Sequence, residues 1–232
     1  MNRKIIIYVA VALMVISVPI LITTLATESV AFSETFYLRQ YQRLSLGQSS
    51  GFSLQEFKQF SRTLHDYFRG RIPSPQLFVH SETGLEPLYK QREIYHLADV
   101  RHLFRLEWKL RNLGCILLIM GLGLVLAVKR QQSGPIIAMA IAGGSSIGIV
   151  AFLLLLLVAR LNFNQAFTIF HLISFDNTLW QLDPSRHNLI KLFPEQFFLN
   201  ATMAIIIQAL GVLIVLLIAS LGFHKKQQRE SG

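Results

Sequence analysis

Three stretches of this chain carry no charged residue over lengths that match a lipid bilayer. They run from Ile5 to Ala26, from Pro135 to Ala159 and from Phe198 to Phe223. Crossing about 30 Å of hydrocarbon takes roughly 20 apolar residues in a helix. Lipid offers no partner for open backbone N–H and C=O groups, so each crossing must be helical. A fourth apolar run, Leu113 to Val128, is shorter. It crosses if the helix before it carries the chain through the interface, where Trp108 suits the headgroup level. The expected fold is therefore all-α: a four-helix transmembrane bundle with extracytoplasmic helices between helices 1 and 2 and between helices 3 and 4. Residues 1–232 are read as a single integral membrane domain, with outer segments at about 27–112 and 160–197. The first run exceeds the 7–15 residues of a signal-peptide core and is read as a retained span.

Charge sets the orientation. Arg3 and Lys4 precede the first span, Lys129 and Arg130 sit between the second and third, and Lys225, Lys226 and Arg229 follow the last. Short basic flanks stay in the cytoplasm, whereas long segments translocate largely regardless of their charge. Both termini are expected inside, in the cytoplasmic membrane, with the two longer segments outside. The net charge of +9 then falls largely on segments facing away from nucleic acid, and lipid headgroups are the expected counterions. The single cysteine, Cys115, is expected to be a packing residue.

Helical signals are present outside the spans. Ser53 and Glu56 form a capping box, and Leu54, Phe57, Phe60, Leu64 and Phe68 repeat at helical spacing. Gly70, Pro73 and Pro75 end that helix. Residues 70–91 read as a loop. A second helix begins near Arg92 and is expected to run on into the Leu113–Val128 span. Within the spans, Gly144 and Gly148 are spaced for close helix approach, and Gln208 is expected to bond across helices.

Two segments concentrate polar chemistry. In the first, His96 and Asp99 are three residues apart and share a helix face. An imidazole oriented by a carboxylate is a good general base near neutral pH. In the second, His171, Asp176, Asn177, Trp180 and Asp183 stand among aromatics between residues 170 and 198. No Gly-x-Ser-x-Gly, phosphate loop or His-Glu-x-x-His is present. His96, Asp99 and His102 drift by about 60° per step around a helix, and only with His171 would they make a metal site. The residues alone leave open a metal-dependent membrane hydrolase of lipid or peptide, and a non-enzymatic membrane sensor or assembly protein.

Arg92-Glu93-x-x-His96-Leu97-x-Asp99-Val100 resembles the first signature of the bacterial lipoprotein intramolecular transacylase family. His171-x-x-x-Phe175-x-Asn177-x-x-Trp180-x-Leu182-Asp183-Pro184, followed by Phe193-Pro194-x-x-Phe197, resembles the second. The resemblance covers nearly the whole chain. It implies an enzyme that moves the sn-2 acyl chain of a diacylglyceryl-Cys lipoprotein onto the α-amino group of that cysteine, outside the cytoplasmic membrane. The product is an N-acylated lyso-lipoprotein. The implied partners are diacylglyceryl-modified lipoproteins and membrane phospholipid, with no metal and no cofactor. The substrate brings its own nucleophile, so the protein needs acid–base groups and oxyanion stabilisation rather than a serine or cysteine. The candidate catalytic residues are His96, His171 and Asp99, with His96 as base. The candidate binding or supporting residues are Arg92, Glu93, Tyr95, Phe175, Asp176, Asn177, Trp180 and Asp183.

Overall fold

A computed structural model describes residues 2–81 and 84–231. The protein is 81% helical. The helices are α1 (Arg3–Ala31), α2 (Glu34–Arg43), α3 (Leu46–Ser50), α4 (Leu54–Phe68), α5 (Gln91–Lys129), α6 (Ser133–Leu161), α7 (Phe163–Ser174), α8 (Asn188–Leu192) and α9 (Glu195–Ser231). Three helical stretches are long and apolar enough to cross a membrane: Arg3–Ala31, Gln91–Leu161 and Glu195–Arg229. The middle one is divided at a 3-10 turn, Arg130–Gln132, into α5 and α6. The four apolar runs of the sequence fall within α1, α5, α6 and α9.

The chain forms two compact units. One comprises Met1–Ser29, Glu107–Val158 and Met203–Gly232, the other Val30–Leu106 and Ala159–Thr202. In the first, small residues let backbones meet. A Cβ on Gly144 would lie 2.7 Å from the Val15 carbonyl oxygen, and one on Gly121 would lie 2.8 Å from that of Ala10. Both distances are below any real Cβ contact, so any larger residue pushes α1 away. Val18, Ala26, Phe152, Ile206, Ala209 and Leu213 fill one cluster around these approaches. Ala10, Met14, Val125 and Ala140 fill another. Gln208 does bond across helices: the Ser29 hydroxyl donates to its side-chain oxygen at 2.5 Å. Arg111 pairs with Glu28.

The second unit has a core of its own. The capping box forms as the sequence indicates, with Ser53 and Glu56 each bonding the other's backbone N–H, and α4 runs for 15 residues. Its apolar stripe faces inward: Phe57, Phe60, Leu64 and Phe68 are buried with Tyr37, Leu46, Tyr89, Leu97, Leu192, Phe193 and Phe197. Burying each such side chain contributes about 1.5–3 kcal/mol. Leu54, counted in the same stripe, stays 40% exposed because it sits at the start of the helix. The segment expected as a loop contains an antiparallel hairpin, Phe78–Ser81 with Gly84–Pro87. Helix α5 is continuous for 39 residues, as expected from its sequence.

His65 on α4 is buried in this core. Its ring meets Tyr37 edge-on at 4.7 Å and Phe32 at 5.6 Å. Burial pushes its pKa down to about 4, helped by Arg69. Asp66, Glu34 and a bond to the Ala31 carbonyl oppose the shift. An unfolded histidine takes up its proton near pH 6.5, but folded His65 resists until about pH 4. Between those values the unfolded state binds more protons, so stability falls as pH falls. Thermal unfolding in detergent at pH 7 and pH 5 should show wild type losing more stability than His65→Gln. The expected difference is of order 1–3 kcal/mol, and equal losses would remove His65 from the pH response.

Candidate active site

The site lies within the second unit and is assembled from α5, α7 and the segment between α7 and α8. Helix α5 starts at Gln91, so His96 falls in its second turn, well before the apolar run that begins at Leu113. Helix α7 is capped by Asn162, whose side chain accepts from the Gln165 N–H, and places His171 near its C-terminus. The structure brings these two histidines together. Their ring centroids are 6.1 Å apart with planes 32° from parallel, and both residues are more than nine-tenths buried.

Aromatic rings wall the pair. Trp180 stacks on His171 at 4.7 Å and 29°. Phe167 meets it edge-on at 4.4 Å, and Phe170 does so at 5.4 Å. Phe175 packs against both imidazoles, 5.3 Å from His96 and 5.7 Å from His171. Burial among these rings disfavours the charged forms. It pulls His96 down to about pH 4, with the neighbouring His171 and Arg92 adding to the shift and Asp99 opposing it. Burial also lowers His171, against a bond to the Phe167 carbonyl that favours its protonated form.

That bond defines the chemistry of His171. Its Nδ1 lies 2.6 Å from the Phe167 carbonyl oxygen. A carbonyl only accepts, so Nδ1 must carry the proton, and in the neutral ring Nε2 is left with its lone pair. His96 is different. Among the described residues its Nδ1 is buried with no hydrogen-bond partner. Asp99 carries the expected charge near His96, yet its recorded bond goes elsewhere, to the Asn177 side-chain N–H at 2.9 Å. Asn177 in turn accepts from the Leu179 N–H, and its backbone carbonyl accepts the Trp180 indole N–H at 3.0 Å. A chain of hydrogen bonds therefore runs from Asp99 through Asn177 to the indole that lies on His171.

Two further groups fasten this loop to α5. The Arg92 guanidinium donates to the Thr178 carbonyl. Glu93 has no exposed surface, and its carboxylate takes the Lys90 N–H at 2.7 Å and the Leu189 N–H at 2.6 Å. Asn188 adds a bond to the Leu88 carbonyl. Tyr95 is 54% exposed, and Asp176 is exposed too. Asp183 braces its own turn, accepting from the Ser185 N–H and hydroxyl. Phe167, Thr178 and Leu189 also shape the site, though none stands out in the sequence. Phe167 stands four residues before His171, a spacing that meets on a helix face. The other two act through backbone atoms, which no residue type signals.

Among the described residues, no three His, Cys, Asp or Glu side chains are grouped to hold a metal ion. An open cleft of about 540 Å³, lined in part by Leu46, Pro184, Lys191 and Glu195, touches neither histidine. The paired imidazoles, not that cleft, carry the recognisable chemistry.

Long apolar helices define an α-helical integral membrane protein, and its outstanding polar feature is a buried pair of imidazoles. The chain belongs to the lipoprotein intramolecular transacylase family: the family model for lipoprotein intramolecular transacylase Lit matches residues 12–198. Among curated proteins none matches in sequence. Its fold is similar to in meso structures of the membrane integral lipoprotein intramolecular transacylase Lit from Bacillus cereus. One is 23% identical with a TM-score of 0.77, covering 98% of each chain. A form of that protein with a histidine replaced by arginine is 21% identical, with a TM-score of 0.76 over 98% of this chain and 96% of the other.

Glu93 offers a test of the assembly. In Glu93→Gln one acceptor oxygen becomes an amide donor facing a backbone N–H. The buried mismatch should cost about 1–3 kcal/mol, read as a lower unfolding midpoint in detergent. An unchanged midpoint would mean that the two N–H groups find other partners.

Proposed function

We propose that this protein transfers the sn-2 acyl chain of a diacylglyceryl-Cys lipoprotein to the α-amino group of the same cysteine, leaving a lyso-form N-acyl lipoprotein. The observation that carries the reading is the pair of buried, neutral imidazoles in a chain of this family. One of them has its tautomer fixed so that Nε2 accepts a proton. The amine nitrogen attacks the ester carbonyl and gives a proton to that nitrogen. As the tetrahedral intermediate collapses, the C–O bond breaks, the new C–N amide bond remains, and the glycerol oxygen takes that same proton back from the imidazolium. An amine with a pKa of about 7.7–8.0 is within reach of such a base, and holding amine and ester together supplies roughly 7–11 kcal/mol of the barrier.

The hydrogen bonds support an exchange of the roles first suggested by the sequence. His171 is the better base, because the Phe167 carbonyl orients it and favours its imidazolium. His96 is the neutral N–H that donates a hydrogen bond to the oxyanion, and the His171 imidazolium is the acid for the departing oxygen. Arg92, tied to Thr178 by one N–H, retains donors for the ester carbonyl. Asp99 acts at a distance, through charge on His96 and through Asn177.

We place the site at the outer face of the cytoplasmic membrane, with four crossings and both termini inside. The short basic flanks support this orientation. Reporter fusions near Gln48 and Asn188 should act outside and one near Gln131 inside, and a cytoplasmic signal at Gln48 would overturn it.

Expression in a bacterium lacking N-acylation, followed by mass spectrometry of a lipoprotein N-terminal peptide, tests the reaction. The wild-type chain should yield the N-acylated lyso form. His96→Ala and His171→Ala should each lose about 10²–10⁴ in rate while still accumulating in the membrane. Asp99→Asn should lose less, because it keeps an acceptor for Asn177. A His variant that converts lipoprotein at the wild-type rate would have to leave the mechanism.

A further inference from the structure

Helix α7 has two unlike sides. His171 projects into the aromatic box and is 7% exposed, while Ile169, Phe170, Leu172 and Ile173 are 47%, 49%, 63% and 80% exposed. At about 100° per residue, Ile169, Leu172 and Ile173 cluster on one side and His171 lies roughly 150° away. No residue of α7 is charged. Surfaces this apolar mark contact with another apolar phase.

The neighbours of α7 in the chain say which phase. A single residue, Asn162, separates it from α6, which ends at Leu161, itself 75% exposed. On its other flank Phe167 stacks on Phe198 at 5.0 Å and 30°. Asn164 donates to Glu195 at 2.6 Å. Glu195 and Phe198 belong to the first turns of α9. Helix α7 is thus held between the ends of two apolar helices that are long enough to span a bilayer. Such ends lie at the membrane interface, where an apolar helix face is covered by acyl chains.

We infer that α7 lies in the plane of the membrane, with its Ile169–Leu172–Ile173 face among lipid acyl chains and His171 turned away from them. The inference rests on the transacylase reading only in one consequence. The ester to be cleaved would reach His171 from the lipid side, around this helix, rather than from water.

The test uses the full chain in lipid nanodiscs, with Cys115→Ser removing the native thiol. A bimane fluorophore is placed at Ile173→Cys, at Leu172→Cys as a second reporter, and at the exposed Gln48→Cys as a control. Lipids brominated in their acyl chains should quench the labels at 173 and 172, and aqueous iodide should not. Gln48→Cys should show the reverse. Quenching by iodide at both α7 positions would overturn the inference. So would protection from both quenchers together with a cross-linked dimer, since a second copy would then cover this face. The readout does not depend on turnover. Lipid quenching in a chain that fails to convert lipoprotein would sink the functional reading alone, and active protein without lipid quenching would sink this inference alone.

Discussion

A fully buried carboxylate, Glu93, holds the candidate site together. Stripping Glu93 of its hydration costs several kcal/mol. The two backbone N–H groups it receives offset this, since bonds to a charged group contribute about 1.5–3 kcal/mol each. One of those N–H groups, from Lys90, belongs to the entry of α5, and the other, from Leu189, belongs to α8. The same side chain therefore fixes where α5 begins and where the segment after α7 returns. His96 stands one turn beyond Glu93. Asn177 and Trp180 stand on the segment that Leu189 terminates. Without this bond the loop is held against α5 by the more exposed polar contacts of Arg92 and Asp99 and by the packing of Phe175 on His96.

Helices were legible where side-chain chemistry is local. The Ser53–Glu56 capping box and the phenylalanine stripe behind it place α4 without reference to anything distant. The uninterrupted α5 follows from a stretch lacking Pro and Gly between Gln91 and Leu113. The close approach at Gly144 followed from spacing, while that at Gly121 was not singled out, because its partner on α1 carries no mark in the sequence. The hairpin at Phe78–Pro87 was read as loop because Gly and Pro dominate its surroundings. Four-residue strands offer too few alternations to reveal a period.

The histidines of the site were legible as residue types, but their partners were not. His96 and Asp99 share a helix face, and that spacing points to a bond between them. The recorded bond of Asp99 runs to Asn177 instead, 78 positions along the chain. Proximity along a helix fixes which side a group faces. A competing amide brought in from another segment then decides what it bonds. The tautomer of His171 has the opposite origin. It depends on a backbone carbonyl four residues back, which exists for every residue of the helix and becomes decisive only because the aromatic walls exclude water from the alternatives.

Those walls explain why the site favours two histidines over a charged pair. In a box of Phe167, Phe170, Phe175 and Trp180, two imidazolium rings side by side would repel each other with little solvent to screen them and with Asp99 as the nearby negative charge. The first-listed cause of lowering at each ring is burial, and at His96 the neighbouring His171 comes next. Both rings therefore rest neutral at pH 7, and one proton entering the pair makes a second harder to add. A neutral pair can accept a proton at one ring and offer an N–H hydrogen bond from the other without passing through a doubly charged state. The stacked indole of Trp180 works the other way at His171, because its electron-rich face favours a transient imidazolium there, while the indole N–H is spent on the Asn177 carbonyl. On the proposed mechanism, the burial that makes protonation costly at rest also makes the transient imidazolium a stronger acid, which returns its proton to the departing oxygen.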